Sequence, residues 1–410
     1  MKILWLSHII PYPPKGGLLQ RSYNLLNQIS KQHEVHLVSL NQKKVLSKPA
    51  AINEAVYALK KICKQVDVFP IESDKSKWHW ATMTLVSYFT KLPYDVNWLY
   101  NNKLDLFVKN IAKYDKYDLV HVDTIGMFQY AISFSQMPLV LNHHNIESNM
   151  MLRRVEIEKS FFKKIYFKNE IDKLRNYERM VCPNSAMNLV VSDLDALRLE
   201  EIVGDVSISV IPNGVDLEYF KVENNNCKDN KGLVFAGGMN YYPNREAVLF
   251  FISEIWPVLQ KDNLIRSVTI IGQNPPKELI DITRHSSISA PGFVDDVRPY
   301  IASAKIYICP IKNGGGTRLK ILDALAMGKP LIATGFAVEG LDLKEGEHYI
   351  RAENASEFVA QIKRLENDND LCQKLALSGR KFVENRYSWE IIGAKIEEAY
   401  REAVKSYRYI

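Results

Sequence analysis

Short apolar runs alternate along the chain with longer stretches whose apolar positions recur at helical spacing. The runs at Lys2–Ser7, 35–40, 118–122, 138–142 and 189–192 are too short for helices and rich in β-branched residues, so they predict buried strands. Residues 18–29 carry helical spacing between the first two strands, and 151–179 carry it over a longer span. A strand, a glycine turn, a helix and a second strand therefore open the chain as a βαβ unit. The same order restarts at Leu233-Val-Phe-Ala-Gly-Gly-Met-Asn240. A helical pattern over 244–259 follows, then strand patterns at 268–272, 288–294, Ile306–Cys309 and 330–334. Two rounds of such alternation predict an α/β fold with two Rossmann-like domains.

Between the rounds, Val210-Ile-Pro-Asn-Gly-Val-Asp216 holds a turn signal at Asn213-Gly214, and the polar stretch 223–231 has no core-forming pattern. The expected division is 1–212, 213–386 and a final amphipathic helix over 387–410. A chain of 410 residues is also too long for one ordinary core.

Composition narrows the class without naming it. Apolar content of 47% and charged content of 24% are ordinary globular values. The five cysteines are scattered without metal-ligand spacing and read as buried thiols in a reducing compartment. The opening apolar run is too short for a signal peptide, and no window approaches the ~20 apolar residues of a membrane span. A net charge of +6 allows anionic substrates or an anionic lipid surface, but no charge block argues for nucleic acid. The expected location is cytoplasmic, with peripheral contact at the inner face of the cell membrane left open. Residues 76–104 bear on that contact, because Trp78, Trp80, Tyr88, Phe89 and Trp98 are interspersed with Lys77, Lys91 and Lys103. Such a stretch suits a bilayer interface or a sugar acceptor, and equally a core face with ordinary surface.

The chemistry concentrates in Cys309-Pro-Ile-Lys-Asn-Gly-Gly-Gly-Thr-Arg-Leu-Lys-Ile-Leu-Asp-Ala-Leu-Ala-Met-Gly-Lys-Pro330. Gly314, Gly315 and Gly316 form a loop without β-carbons between a strand and a helix, with Thr317 as the expected N-cap. A glycine turn feeding a helix N-terminus presents free N–H groups and a positive dipole end, which suits phosphate. Arg318 and Lys320 put two cations where the dipole would ordinarily prefer carboxylates. That placement makes sense if an anion arrives from outside. The other reading is a tight connection with two solvated basic residues. No Gly-Lys-Ser/Thr triplet or GxGxxG is present, so this is neither a Walker A loop nor a dinucleotide fingerprint.

In the first half, Gly16-Gly17 ends a proline-rich loop at the carboxyl end of the first strand, where ligands of open α/β sheets sit. A later strand ends in His143-His144-Asn145-Ile146-Glu147. Two histidines and a carboxylate invite a metal reading, but adjacent strand residues point to opposite faces.

The central stretch resembles the donor-binding segment of the family 4 retaining glycosyltransferases, in the branch reading G-G-G-x-R-x-K-I-L-E/D-A-x-A-x-G-x-P. About a dozen positions match in order. Val210–Asp216 resembles the family's interdomain P-N-G-V-D string, and His144, Asn145 and Glu147 its H-N-x-E segment. The resemblance implies the GT-B architecture, two Rossmann-like domains facing across a cleft, with the C-terminal helix crossing back to the N-terminal domain. It implies donor contacts from Gly16, Gly17, Gly237, Gly238, Gly314, Gly315, Gly316, Thr317 and Asp323, and catalytic contributions from His144, Arg318 and Lys320. Residues 335–341 correspond to a loop near the donor phosphates. There are two departures. Of the family's E-x7-E pair, Asp323 occupies the second position and Gly315 the first. The basic pair often found after the second domain's glycine turn is missing from Gly237-Gly-Met-Asn-Tyr, leaving the phosphate charge to Arg318 and Lys320.

The implied activity is retaining transfer of a sugar from a nucleotide-diphosphate donor to a hydroxyl of a saccharide or lipid-linked acceptor, in surface polysaccharide or glycolipid synthesis. No cofactor or metal is expected, and no metal-binding Asp-x-Asp sits at a strand end. The alternatives are a sugar-nucleotide epimerase on the same fold, or a catalytically inactive sugar-nucleotide-binding partner.

Overall fold

The computed structural model describes residues 1–221, 232–262, 267–314 and 317–407. Most of the polar linker and two of the predicted donor-loop glycines, Gly315 and Gly316, lie outside the described residues. The chain divides into two compact units, Met1–Pro212 with the chain from Ile392 onward, and Asn213–Ile391.

The first unit is built on seven parallel strands. They are β1 (Lys2–Ser7), β2 (Glu34–Asn41), β3 (Gln65–Pro70), β4 (Leu119–Asp123), β5 (Leu139–Asn142), β6 (Met187–Val190) and β7 (Ile208–Val210). Their order is β3-β2-β1-β4-β5-β6-β7, so the direction of winding reverses between β1 and β4. Helices cover both faces of such a sheet, and the central strands are accordingly buried almost throughout. The helix Gly17–Ser30 follows β1 as the spacing predicts. The single helical span read over 151–179 is two helices, Glu147–Ile157 and Phe161–Val181. Between them Glu158 leaves the helical conformation, and its carboxylate accepts from the Ser160 amide at 2.9 Å.

The second unit repeats the plan with six parallel strands. These are β8 (Leu233–Ala236), β9 (Val268–Ile271), β10 (Ile288–Gly292), β11 (Ile306–Cys309), β12 (Leu331–Ala333) and β13 (Ile350–Arg351). The order β10-β9-β8-β11-β12-β13 reverses between β8 and β11. The helix expected over 244–259 is broken: Tyr242–Phe250 is α-helical, Phe251–Ile255 is a π-helical turn, and Trp256–Lys261 resumes. Pro257 has no N–H to donate to the preceding turn, which accounts for the wider turn just before it.

The last helix, Trp389–Tyr407, joins the first unit from Ile392 onward. Tyr400 Oη lies 2.7 Å from His121 Nδ1, His121 stacks on Trp5 at 3.6 Å between ring centroids, and Glu397 pairs with His33. The sequence reading started this segment at 387, whereas residues 387–391 sit with the second unit. The cause is local packing: Val215 N–H donates to Tyr387 O at 2.8 Å, and Gly214 lies flat against the Trp389 indole. A Cβ at Gly214 would come within 2.7 Å of Trp389 Cδ2. Gly214→Ala should therefore destabilise the second unit by about 1–3 kcal/mol, read as a lower denaturation midpoint at unchanged m-value.

Candidate active site

In both sheets the polar residues gather where the strand order reverses, at the carboxyl ends of β1 and β4 and of β8 and β11. Open α/β sheets bind ligands at such switch points because the diverging connections leave a crevice there.

In the second unit, Gly237 directly follows β8 and β11 leads through Gly314 to the helix Leu319–Ala326. That helix begins one residue later than an N-cap at Thr317 requires. Arg318 occupies the cap, and Thr317 Oγ1 instead accepts a hydrogen bond from Asn213 Nδ2. Lys320 reaches from the first turn to the underside of the β8 turn. Its Nζ donates to Asn244 Oδ1 and lies 4.6 Å from the centroid of the Phe235 ring, while Asn244 Nδ2 donates to Gly238 O at 2.8 Å. The turn that lacks a cation of its own thus receives one from another element. Glycine is what admits it: a Cβ on Gly237 would fall 2.3 Å from Lys320 Nζ, whereas one on Gly238 would meet nothing within 4 Å. Gly314, at φ +114°, has no room for a Cβ either, since Pro243 Cγ would be 2.7 Å away.

Arg318 is buried, its guanidinium 5.2 Å from the Phe336 ring centroid. Burial pulls the Lys320 ammonium down to about 8, and the neighbouring Arg318 charge pushes the same way. One turn on, burial lifts the Asp323 carboxyl to about 8 against the pull of Lys320. Two cations thus share a buried helix start with a carboxyl that burial shifts toward its neutral form.

In the first unit the organising group is Asp123, the last residue of β4, which is fully buried. Its Oδ1 accepts from His144 Nε2 at 2.7 Å and Asn142 Nδ2 at 2.8 Å, and its Oδ2 from Ser22 Oγ at 2.8 Å. His8 Nδ1 lies 3.1 Å from the Asp123 main-chain oxygen. Arg21, also buried, donates to Asn142 Oδ1 and to the carbonyl of Ile211. Burial alone would raise the Asp123 carboxyl, but the charge and hydrogen bond of His144, with His8 and His121, hold it well below the usual carboxylate range. Burial drives His8 down to about 4, so its ring is neutral at physiological pH. Gly16 caps the helix Gly17–Ser30 at φ +96°, with open space where a Cβ would stand.

The two adjacent histidines part company. His143 turns to Asn188 Oδ1 at 3.2 Å, and burial lowers it to about 4, while His144 turns to Asp123. Glu147 opens the next helix, and burial, with Asp95 and Glu178 adding to it, raises its carboxyl to about 8. Among the described residues, His8, Asp123 and His144 bring ligand-type atoms within 4.8 Å of one another. Each of the three nevertheless has a partner inside the protein, an arrangement suited to holding a histidine in place.

Of the sequence-derived residues, Gly237, Gly238, Gly314 and Lys320 come together at the second switch point, with Arg318 and Asp323 on the same helix start. Gly16, Gly17 and His144 belong to the first unit. Asp123, His8, Arg21 and Asn244 went unrecognised. Asp123 carried a readable signal, a lone carboxylate closing an apolar strand, as His144 follows another.

Residues 15–219 match the model described as Glycosyltransferase Family 4, and 230–368 that of Glycosyl transferases group 1. The chain belongs to glycosyltransferase family 4. A Klebsiella pneumoniae protein described as an uncharacterized 44.6 kDa protein in the cps region is 24% identical over 60% of this chain and 64% of its own length. The Staphylococcus aureus capsular polysaccharide biosynthesis glycosyltransferase CapM is 22% identical over 47% of this chain and 54% of its own. The chain therefore matches less than two thirds of the length of either relative. Among solved structures, Anabaena Alr3699/HepE in complex with UDP superposes with a TM-score of 0.66 at 15% identity, covering 97% of this chain and 99% of that one. The shared fold is GT-B, with two parallel-sheet α/β domains.

Asp123→Asn should cost about 3 kcal/mol, because it leaves buried donors facing an amide in place of a charge. The folded carboxyl is depressed, so its contribution is complete above the unfolded value of roughly 4 and is lost as pH falls below that. Urea denaturation across that range should show the gap between wild type and variant closing on the acid side.

Proposed function

We propose that the protein is a metal-independent, retaining glycosyltransferase that uses a nucleoside-diphosphate sugar. The observation that carries this reading is the Lys320 ammonium seated under the Gly237 turn, with Arg318 at the cap of the same helix. In the proposed reaction the bond from the sugar C1 to the β-phosphate oxygen breaks while the acceptor hydroxyl oxygen bonds to C1 on the same face. The hydroxyl proton leaves with the diphosphate. Negative charge grows on that leaving group, and Lys320, Arg318 and the helix N-terminus would stabilise it. Asp323, its carboxyl shifted by burial toward the neutral form, would meet the ribose hydroxyls, and His144, oriented by Asp123, the sugar. A uridine nucleotide is the favoured donor because the structurally similar Anabaena protein holds UDP. The capsular relative favours a surface-polysaccharide acceptor.

Thermal shift with UDP, GDP, ADP, TDP and CMP tests the donor site. At a hundred times its dissociation constant the correct nucleotide should stabilise by about 2.7 kcal/mol. Arg318→Ala should lose that shift and lower kcat/KM at least about a hundredfold. No shift with any nucleotide would overturn the reading.

The nucleotide affinity should also depend on pH. Diphosphate binding raises the Lys320 value above the about 8 of the free protein, so binding is strongest below that pH and weakens above it. Titration calorimetry on Asp323→Asn, which removes the other group titrating there, should retain the decline. Lys320→Gln should bind weakly at every pH.

A further inference from the structure

The helix Lys77–Phe89 has an outward face with no charged side chain from Trp78 to Phe89. Trp78, Leu85 and Phe89 share one stripe at helical spacing, and they are 81%, 64% and 79% exposed. Surface helices ordinarily put their charges on that side.

The start of the helix Phe161–Val181 has the same anomaly, with Phe161 70% and Phe162 82% exposed and Ile165 also outward. The fold joins the two features, which lie far apart in sequence. Tyr88 stacks on Tyr166 at 5.9 Å, Asn169 Nδ2 donates to Tyr88 O, and Lys173 Nζ donates to the carbonyls of Ser87 and Tyr88 at 2.7 and 2.9 Å. These contacts bind the end of the first helix, next to Phe89, to the second helix one turn beyond Phe162. The exposed apolar residues of both helices therefore lie in the same region of the first unit. Its neighbours are basic: Lys91 follows the first helix, and Lys159, Lys163 and Lys168 are exposed along a stretch with no carboxylate.

We propose that this surface docks the protein on an anionic lipid bilayer. Aromatic rings at the end of an apolar stripe suit the headgroup boundary, and the flanking lysines complement anionic headgroups. A second protein would more often present carboxylates to such lysines or bury the aromatics in a pocket. Among the described residues no helix is long and apolar enough to cross a membrane, so attachment would be peripheral and reversible. The docking surface stands independently of the reaction proposed above.

Flotation of the full chain with phosphatidylcholine vesicles, with and without phosphatidylglycerol, tests this in the absence of nucleotide. Failure would therefore leave the donor site unaffected. Wild type should float with the anionic vesicles and not with neutral ones. Trp78→Ser combined with Phe89→Ser should reduce partitioning at least about tenfold at unchanged melting temperature. Lys163→Glu with Lys168→Glu should reduce it about fivefold per lysine, and added salt should reproduce the loss. Absence of wild-type flotation, or equal flotation of the aromatic double variant, overturns the proposal. It is also overturned if wild type self-associates without vesicles and the double variant does not, since a second copy would then be the occupant.

Discussion

A parallel strand covered by helices on both faces has no side on which a polar group can meet water. Polar chemistry is therefore expelled to the carboxyl ends of the strands, and most effectively where neighbouring strands send their connections to opposite faces. Both units obey this constraint. Asp123 and Asn142 are the last residues of β4 and β5, His144 stands just past β5, and Gly237 follows β8 directly. The cluster of polar residues in each unit is a by-product of the way its core is closed.

The two units solve the problem of buried charge in opposite ways. Around Asp123 the charge is satisfied internally: donors arrive from β5, from the helix after β1 and from the loop beyond β5, and the carboxyl is driven strongly acidic. Such a group is a fixed point, useful for holding His144 at a set angle. Around Lys320 burial dominates and disfavours the charged ammonium. One unit surrounds its buried charge with hydrogen-bond partners, and the other leaves burial the larger influence on its lysine.

How much of this could be read from sequence follows from the same constraint. The central strands were legible because burial on both faces writes a continuous apolar run. β3, β7 and β13 were not, and all three lie at sheet edges, where one long side and part of a face need no apolar residue. Gln65-Val-Asp-Val-Phe-Pro70 alternates, and Ile208-Ser-Val210 is half-buried along its length. Lys320 was legible as a candidate because its motif is contiguous. Its seat under Gly237 was not, because that contact joins residues some eighty positions apart, and neither Asn244 nor Gly237 signals a lysine from its own neighbourhood. The outward face of Trp78 and Phe89 was ambiguous for a related reason: periodicity reveals a stripe but not which side of it is covered.

The closing helix has a consequence for the order in which the molecule is made. Tyr400 is wholly buried over His121, and Glu397 completes the pair with His33. During synthesis these partners emerge only after the whole of Asn213–Ile391 has left the ribosome. Until then the first sheet carries an uncovered seam over His121 and Trp5, while the second unit already has every strand it needs. The unit that begins first is thus the one that finishes last, and the growing chain must keep that seam from the wrong partners for the length of a domain's translation.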